Sequence, residues 1–202
     1  MELRFKQVKI KISFFFALSI CLISLFDKSN MILLNLISAF LHEAGHLSAL
    51  IILKQKPKEV WFTPFGMRIE QNEINGMSYK NEIIVALAGP AVNFLMSFIF
   101  FIAELILKID FLKFIMINLI IGSLNMITCE PLDGYRALKY FLKNKISEEK
   151  TEKILNVSSL VFLLPVSAFG FYVLIKSGYN FSLLLISVYL CSFLIFKKDL
   201  FE

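Results

Sequence analysis

The stretch MILLNLISAFLHEAGHLSALIIL, Met31 to Leu53, is apolar enough to lie in a membrane, yet it carries His42-Glu43-Ala44-Gly45-His46 in its middle. These are the only 2 histidines of the chain. Four residues apart on a helix, two imidazoles share one face, where they can hold zinc, and the glutamate beside them can activate water. A charge at the bilayer centre costs about 2.5–3.5 kcal/mol, so ionisable groups at that depth usually face a cavity and carry function.

Composition agrees with a membrane setting. Of the 202 residues 57% are hydrophobic, 22 are Phe and 18% are charged, with a mean hydropathy of +0.72. A soluble domain would carry about a quarter charged residues, spread throughout. Cys21, Cys129 and Cys191 each fall in or at the end of an apolar run, which gives no disulfide framework. The net charge of +5 comes from basic residues scattered over short loops. No basic domain exists to bind nucleic acid, and membrane topology accounts for the charge better.

Six apolar segments are expected to span the bilayer: Ile12–Phe26, Met31–Leu53, Ile83–Leu107, Phe111–Ile127, Val157–Ile175 and Phe181–Phe196. The first follows Arg4, Lys6, Lys9 and Lys11, but Ser24-Leu25-Phe26 offers no cleavage pattern, so it reads as a retained anchor. With both termini cytoplasmic, only Lys28, Lys108, Lys113 and Lys176 of the 21 Lys and Arg fall outside. That is the asymmetry expected of cytoplasmic loops.

The fold class read from the sequence is an all-α polytopic membrane protein of about six transmembrane helices, forming one domain over residues 1–202. A short β-strand or hairpin element is expected in the inner loop Lys54–Glu82. There Val60 to Ile69 is rich in aromatic and β-branched residues, although an interfacial loop anchored by Trp61 is an equal reading. The second inner loop, Tyr135–Asn156, sets Leu138, Phe141 and Leu142 among lysines, as in either a surface-lying amphipathic helix or a solvated connector.

A catalytic zinc site needs a third protein ligand and an open position. With both histidines used, that ligand is a carboxylate or, less favourably, a cysteine. Glu104, Glu130 and Asp133 are the acids near membrane depth. Glu104 falls near the outer end of its segment, far from the histidines. Asp133 is preferred, because Pro131 breaks the helix and Gly134 permits a turn that lets a carboxylate point inward. Counted from Phe111 it lies closer to the inner boundary than the histidines do, so the segment must start deep, tilt or unwind.

Three motifs in order then resemble the site-2 protease family of intramembrane zinc metalloproteases, in particular its small bacterial, sporulation-protease-like branch. His42-Glu43-Ala44-Gly45-His46 is similar to the family's HExGH element, Ala88-Gly89-Pro90-Ala91-Val92-Asn93 to its G-P-x-x-N element, and Asn125 through Pro131-Leu132-Asp133-Gly134 to its third element. Thr128 stands where the family usually has proline, and Tyr135 where a second glycine is common. The likeness covers about residues 31–138, the three-helix catalytic core in that family.

The resemblance implies one Zn²⁺ per chain held by His42, His46 and Asp133, with Glu43 as general base. It also implies that Asn93, and with it Asn125, positions substrate or the oxyanion. A plain helix-to-helix hydrogen bond is the competing reading for both asparagines. The implied activity is hydrolysis of peptide bonds in or near a membrane-spanning segment of a protein substrate, within the lipid bilayer. The alternatives are an inactive membrane scaffold, which would be expected to have lost a ligand or the base, and a transporter, which would more often show paired halves.

Overall fold

The structure, a computed structural model, describes residues 2–5, 8–12, 31–55, 57–63, 66–71, 77–178, 184–185 and 187–191. The architecture is mostly helical. Its elements in chain order are β1 (Glu2–Phe5), β2 (Val8–Ile12), α1 (Met31–Ile52), β3 (Pro57–Thr63), β4 (Gly66–Gln71), α2 (Tyr79–Leu107), α3 (Leu112–Asn125), α4 (Asp133–Lys143) and α5 (Glu148–Ser177).

The strands form one sheet in the order β1-β2-β3-β4. β1 and β2 are antiparallel, β2 and β3 parallel with Ile10 opposite Val60, and β3 and β4 antiparallel with Val60 opposite Ile69. The sheet goes beyond the one short strand or hairpin element expected in an otherwise all-α protein, because it also takes in β1 and β2. Ile12 belongs to β2, where Val8-Lys9-Ile10-Lys11-Ile12 alternates apolar and basic residues with the period of a strand. The rest of the proposed first span, and most of the sixth, lie outside the described residues.

α2 is the central helix and packs against α1, α3 and α4. Ser78 caps it by accepting from the Asn81 amide at 3.4 Å, and it ends where Lys108 turns left-handed at φ 55°. Its contact with α1 is close because the facing residues are small. A Cβ on Gly45 would lie 2.6 Å from the Ala88 carbonyl oxygen. In a bilayer, where lipid is as apolar as leucine, such close backbone approach is what holds helices together. At the far end of α2, Glu104 accepts from the Phe111 amide at 3.1 Å, and Phe100 meets the rings of Phe111 and Phe114 at 5.1 and 4.6 Å.

α2 and α5 are long and apolar enough to cross a membrane by length and composition. Phe98, Phe101, Leu105 and Ile106 on α2, and Val161, Leu164 and Phe171 on α5, are all exposed. Apolar belts this broad, on helices of that length, place the protein in a membrane. α5 begins nine residues before the apolar segment read from sequence. A charged first turn, Glu148 and Glu149, and a Lys153–Glu149 pair at 2.7 Å extend the helix.

Between α3 and α4 the chain leaves helical form. Met126 still bonds back to Gly122 at 3.2 Å, and α4 then starts at Asp133. The backbone of Gly134 lies against the Met126 carbonyl so tightly that a Cβ there would collide with it. Thr128 is tied to α5: its hydroxyl pairs with that of Ser158, and its carbonyl accepts from Ser159 at 3.2 Å. Cys129 sits in an apolar cluster with Leu163 and Leu190, away from the histidines.

Candidate metal centre

His42 and His46 occupy the face of α1 turned to α2, and both are buried. Asp133 reaches them from the first residue of α4. Its Oδ2 lies 2.9 Å from His42 Nε2 and 3.2 Å from His46 Nε2, and the two Nε2 atoms are 3.2 Å apart. The unwinding after Asn125 answers the depth difficulty: helix α3 stops, the chain turns, and the carboxylate approaches the imidazoles from a new helix. Glu104 is engaged at the opposite end of α2, as expected from its place in the sequence.

The other ring nitrogens decide what these contacts are. His46 Nδ1 lies 2.7 Å from the Val85 carbonyl oxygen, and His42 Nδ1 lies 2.6 Å from Asn93 Oδ1. Both partners are acceptors, so in the neutral rings both Nδ1 atoms carry the proton and donate. Each Nε2 therefore presents a bare lone pair. Asp133 Oδ2, likewise, has no hydrogen-bond partner among the described residues. Three acceptors thus converge on one point without a donor between them, which is costly in a buried site and is relieved by a cation. His42, His46 and Asp133 form a group able to hold a metal ion. A donor set of two nitrogens and one carboxylate oxygen, three protein ligands rather than four, suits a catalytic zinc better than a closed structural site.

Gly89 of α2 makes room for the cluster. A Cβ at that position would fall onto the imidazoles of both His46 and His42. The next residue, Pro90, is fully buried inside α2. Glu43 follows His42 on α1, is half-buried, and interacts electrostatically with His46.

Asn93 has no exposed surface, and its amide is spent on His42, on the Ser38 carbonyl at 3.2 Å and on Asn118 Oδ1 at 2.9 Å. Asn125 donates to the Ile121 carbonyl of its own helix at 3.0 Å. Two further features escape a reading of the sequence. Asn118 and Ser38 lie behind Asn93, and an ion pair of 2.7 Å joins Arg136, one turn into α4, to buried Glu82 at the start of α2. Asn118 was visible as an amide in an apolar run, but its partner Ser38 stands 80 residues away.

A solved structure of a site-2 protease from Methanocaldococcus jannaschii superposes with a TM-score of 0.65 at 24% identity, covering 94% of this chain and 91% of that one. The chain is also 28% identical over 142 residues to stage IV sporulation protein FB of Bacillus subtilis. The chain has the fold of that site-2 protease. A zinc metalloprotease of Methanocaldococcus jannaschii is 26% identical over 130 residues. These alignments take in 69% and 61% of this chain, and 49% and 38% of the two curated proteins, so the chain spans about half their length or less. No family model matches the chain. Within the site-2 protease fold, the convergent triad lies where α1, α2 and the start of α4 meet.

Proposed function

We propose that this protein is an intramembrane zinc metalloprotease that hydrolyses peptide bonds in or near membrane-spanning segments of protein substrates. The meeting of three unprotonated acceptor atoms from His42, His46 and Asp133 carries the reading. The names of its relatives support zinc as the ion and proteolysis as the reaction.

His42, His46 and Asp133 would hold the ion. Zinc, when bound, supplies Lewis acidity that brings the deprotonation of water down towards neutral pH and polarises a carbonyl. Glu43, half-buried beside the ligands, takes the proton of the attacking water and returns it to the leaving amine. The Asp133 side chain is partly exposed although its Oδ2 is buried, so the reaction requires water to reach the centre past the unwound segment.

The membrane arrangement that suits this reading is a single domain of six spans with its core at about residues 31–138 and both termini in the cytoplasm. β3 and β4 then fall on the inner side of the membrane. A substrate helix hides its peptide groups in internal hydrogen bonds, so it must unwind before attack.

The test is the zinc content of protein purified in mild detergent, read beside cleavage of a single-span reporter in liposomes. Stoichiometric zinc is expected in wild type and Glu43→Gln, with marked loss in His46→Ala and Asp133→Asn, and cleavage is expected in wild type alone. Folded wild-type protein that takes up no zinc on resupply would overturn the reading.

A further inference from the structure

Behind the metal-ligand face lie three fully buried side chains, Ser38, Asn93 and Asn118, to which the reaction steps above assign no part. A buried amide in a membrane helix commonly serves only to bond a neighbouring helix. Here the bonds have a fixed direction. The Phe114 carbonyl can only accept, so Asn118 must turn Nδ2 to it at 2.9 Å, and the second Nδ2 hydrogen goes to Ser38 Oγ at 2.9 Å. That leaves Asn118 Oδ1 facing Asn93.

Asn93 is oriented in turn. Its Nδ2 gives one hydrogen to Asn118 Oδ1 at 2.9 Å and the other to the Ser38 carbonyl at 3.2 Å. Its Oδ1 is then bound to face His42 Nδ1, at 2.6 Å. We propose that Asn93 and Asn118 form an amide relay, anchored on α1 and α3, that locks His42 with its proton on Nδ1 and so keeps Nε2 bare for a metal. The inference rests on His42 being a ligand, as read above. Both asparagines are positioning residues. An oxyanion role for Asn93 would need an Nδ2 hydrogen aimed at the substrate, whereas both are directed at Ser38 and Asn118.

Having 2 histidines makes the claim directly measurable. In metal-free protein labelled with ¹⁵N-histidine, His42 is assigned by comparison with His46→Gln, and its ring shifts report which nitrogen carries the proton. Wild type is expected to show a protonated Nδ1 and a bare Nε2. Asn93→Leu removes the acceptor. It should release the proton to Nε2 and weaken zinc, measured against a competing chelator, by about ten- to a hundredfold. Asn118→Leu leaves the Ser38 carbonyl as the one remaining anchor of Asn93, so a smaller loss in the same direction is expected. Asn93→Asp keeps an acceptor at Nδ1 but gives up both Nδ2 hydrogens that anchor the side chain, so it should restore the tautomer that Asn93→Leu loses and only part of the affinity.

A wild-type His42 protonated on Nε2 overturns the relay without recourse to any variant. So does a folded Asn93→Leu that keeps the wild-type tautomer and zinc affinity while cleavage falls, the pattern of an oxyanion residue. Wild-type protein with the expected tautomer but no zinc uptake would leave the relay standing and remove the metalloprotease reading instead.

Discussion

Removing Arg136 isolates what holds the third ligand in place. Its guanidinium meets Glu82 Oε2 at 2.7 Å; the Glu82 side chain is 9% exposed, that of Arg136 39%. Stripping the partner from a fully buried ion costs about 3–5 kcal/mol, and an exposed pair is worth at most about 1 kcal/mol. This pair lies between, because solvent reaches the arginine while the carboxylate stays in the protein. The first-turn amides of α2 also offset the Glu82 charge by about 0.3–1 kcal/mol. Arg136→Leu is therefore expected to destabilise by about 2 kcal/mol, and Glu82→Gln by less, because it leaves no buried charge. The assay is a double-mutant cycle on reversible unfolding in mixed micelles, with zinc affinity measured on the same samples. Arg136 lies one turn after Asp133, so Arg136→Leu should also lower zinc affinity, although it touches no ligand. A coupling below about 0.5 kcal/mol would put the pair among ordinary surface bridges. Unchanged zinc affinity would refute its role as a strut for Asp133.

Gly89→Ala should abolish stoichiometric zinc in protein that still folds, since its methyl group falls on both imidazoles; metal analysis beside a melting curve checks it, and full zinc content would refute the close approach of α2. Zinc removal should lower stability in proportion to saturation, by about 2.7 kcal/mol between metal-free protein and protein at a free zinc level a hundredfold above its dissociation constant. Equal unfolding midpoints with and without metal would contradict a site that exists only in the folded state. Outside the membrane, Lys143 beside Glu148 holds that carboxyl below the ordinary glutamate value, and Glu148 holds the Lys143 ammonium above its own. The Glu148 contribution is thus complete above the ordinary glutamate value and lost as pH falls through the depressed one. A ¹³C titration placing Glu148 at or above the ordinary value would contradict the pair.

The legible parts of the centre were those written in local spacing. His42 and His46 share a face because four residues make a helical turn, and Asp133 could be chosen because Pro131 and Gly134 bracket a break. The N-terminal strands show how one signal hides another. The lysines of Val8-Lys9-Ile10-Lys11-Ile12 suggest a basic flank to an anchor, yet their alternation is strand-like and pairs Ile10 with Val60. Charge also hid the first turns of α5, whose glutamates and lysines form helix-stabilising pairs on an exposed face. The relay through Asn118 and the Arg136–Glu82 pair were out of reach for another reason. The Asn118–Ser38 bond and the Arg136–Glu82 pair each join residues more than fifty positions apart, and nothing local says which buried polar group will meet which.

The shortness of α3 has a consequence for the lipid itself. Fourteen residues make roughly 21 Å of helix, against a hydrocarbon layer of about 30 Å. In the six-span arrangement proposed above, the polar turn that follows it must either be sheltered by the protein at depth or draw the acyl chains beside α3 inward to meet it. In that arrangement membrane thickness is a mechanical variable: shorter-chain lipids would relieve any compression beside α3, and longer, more ordered chains would add to it.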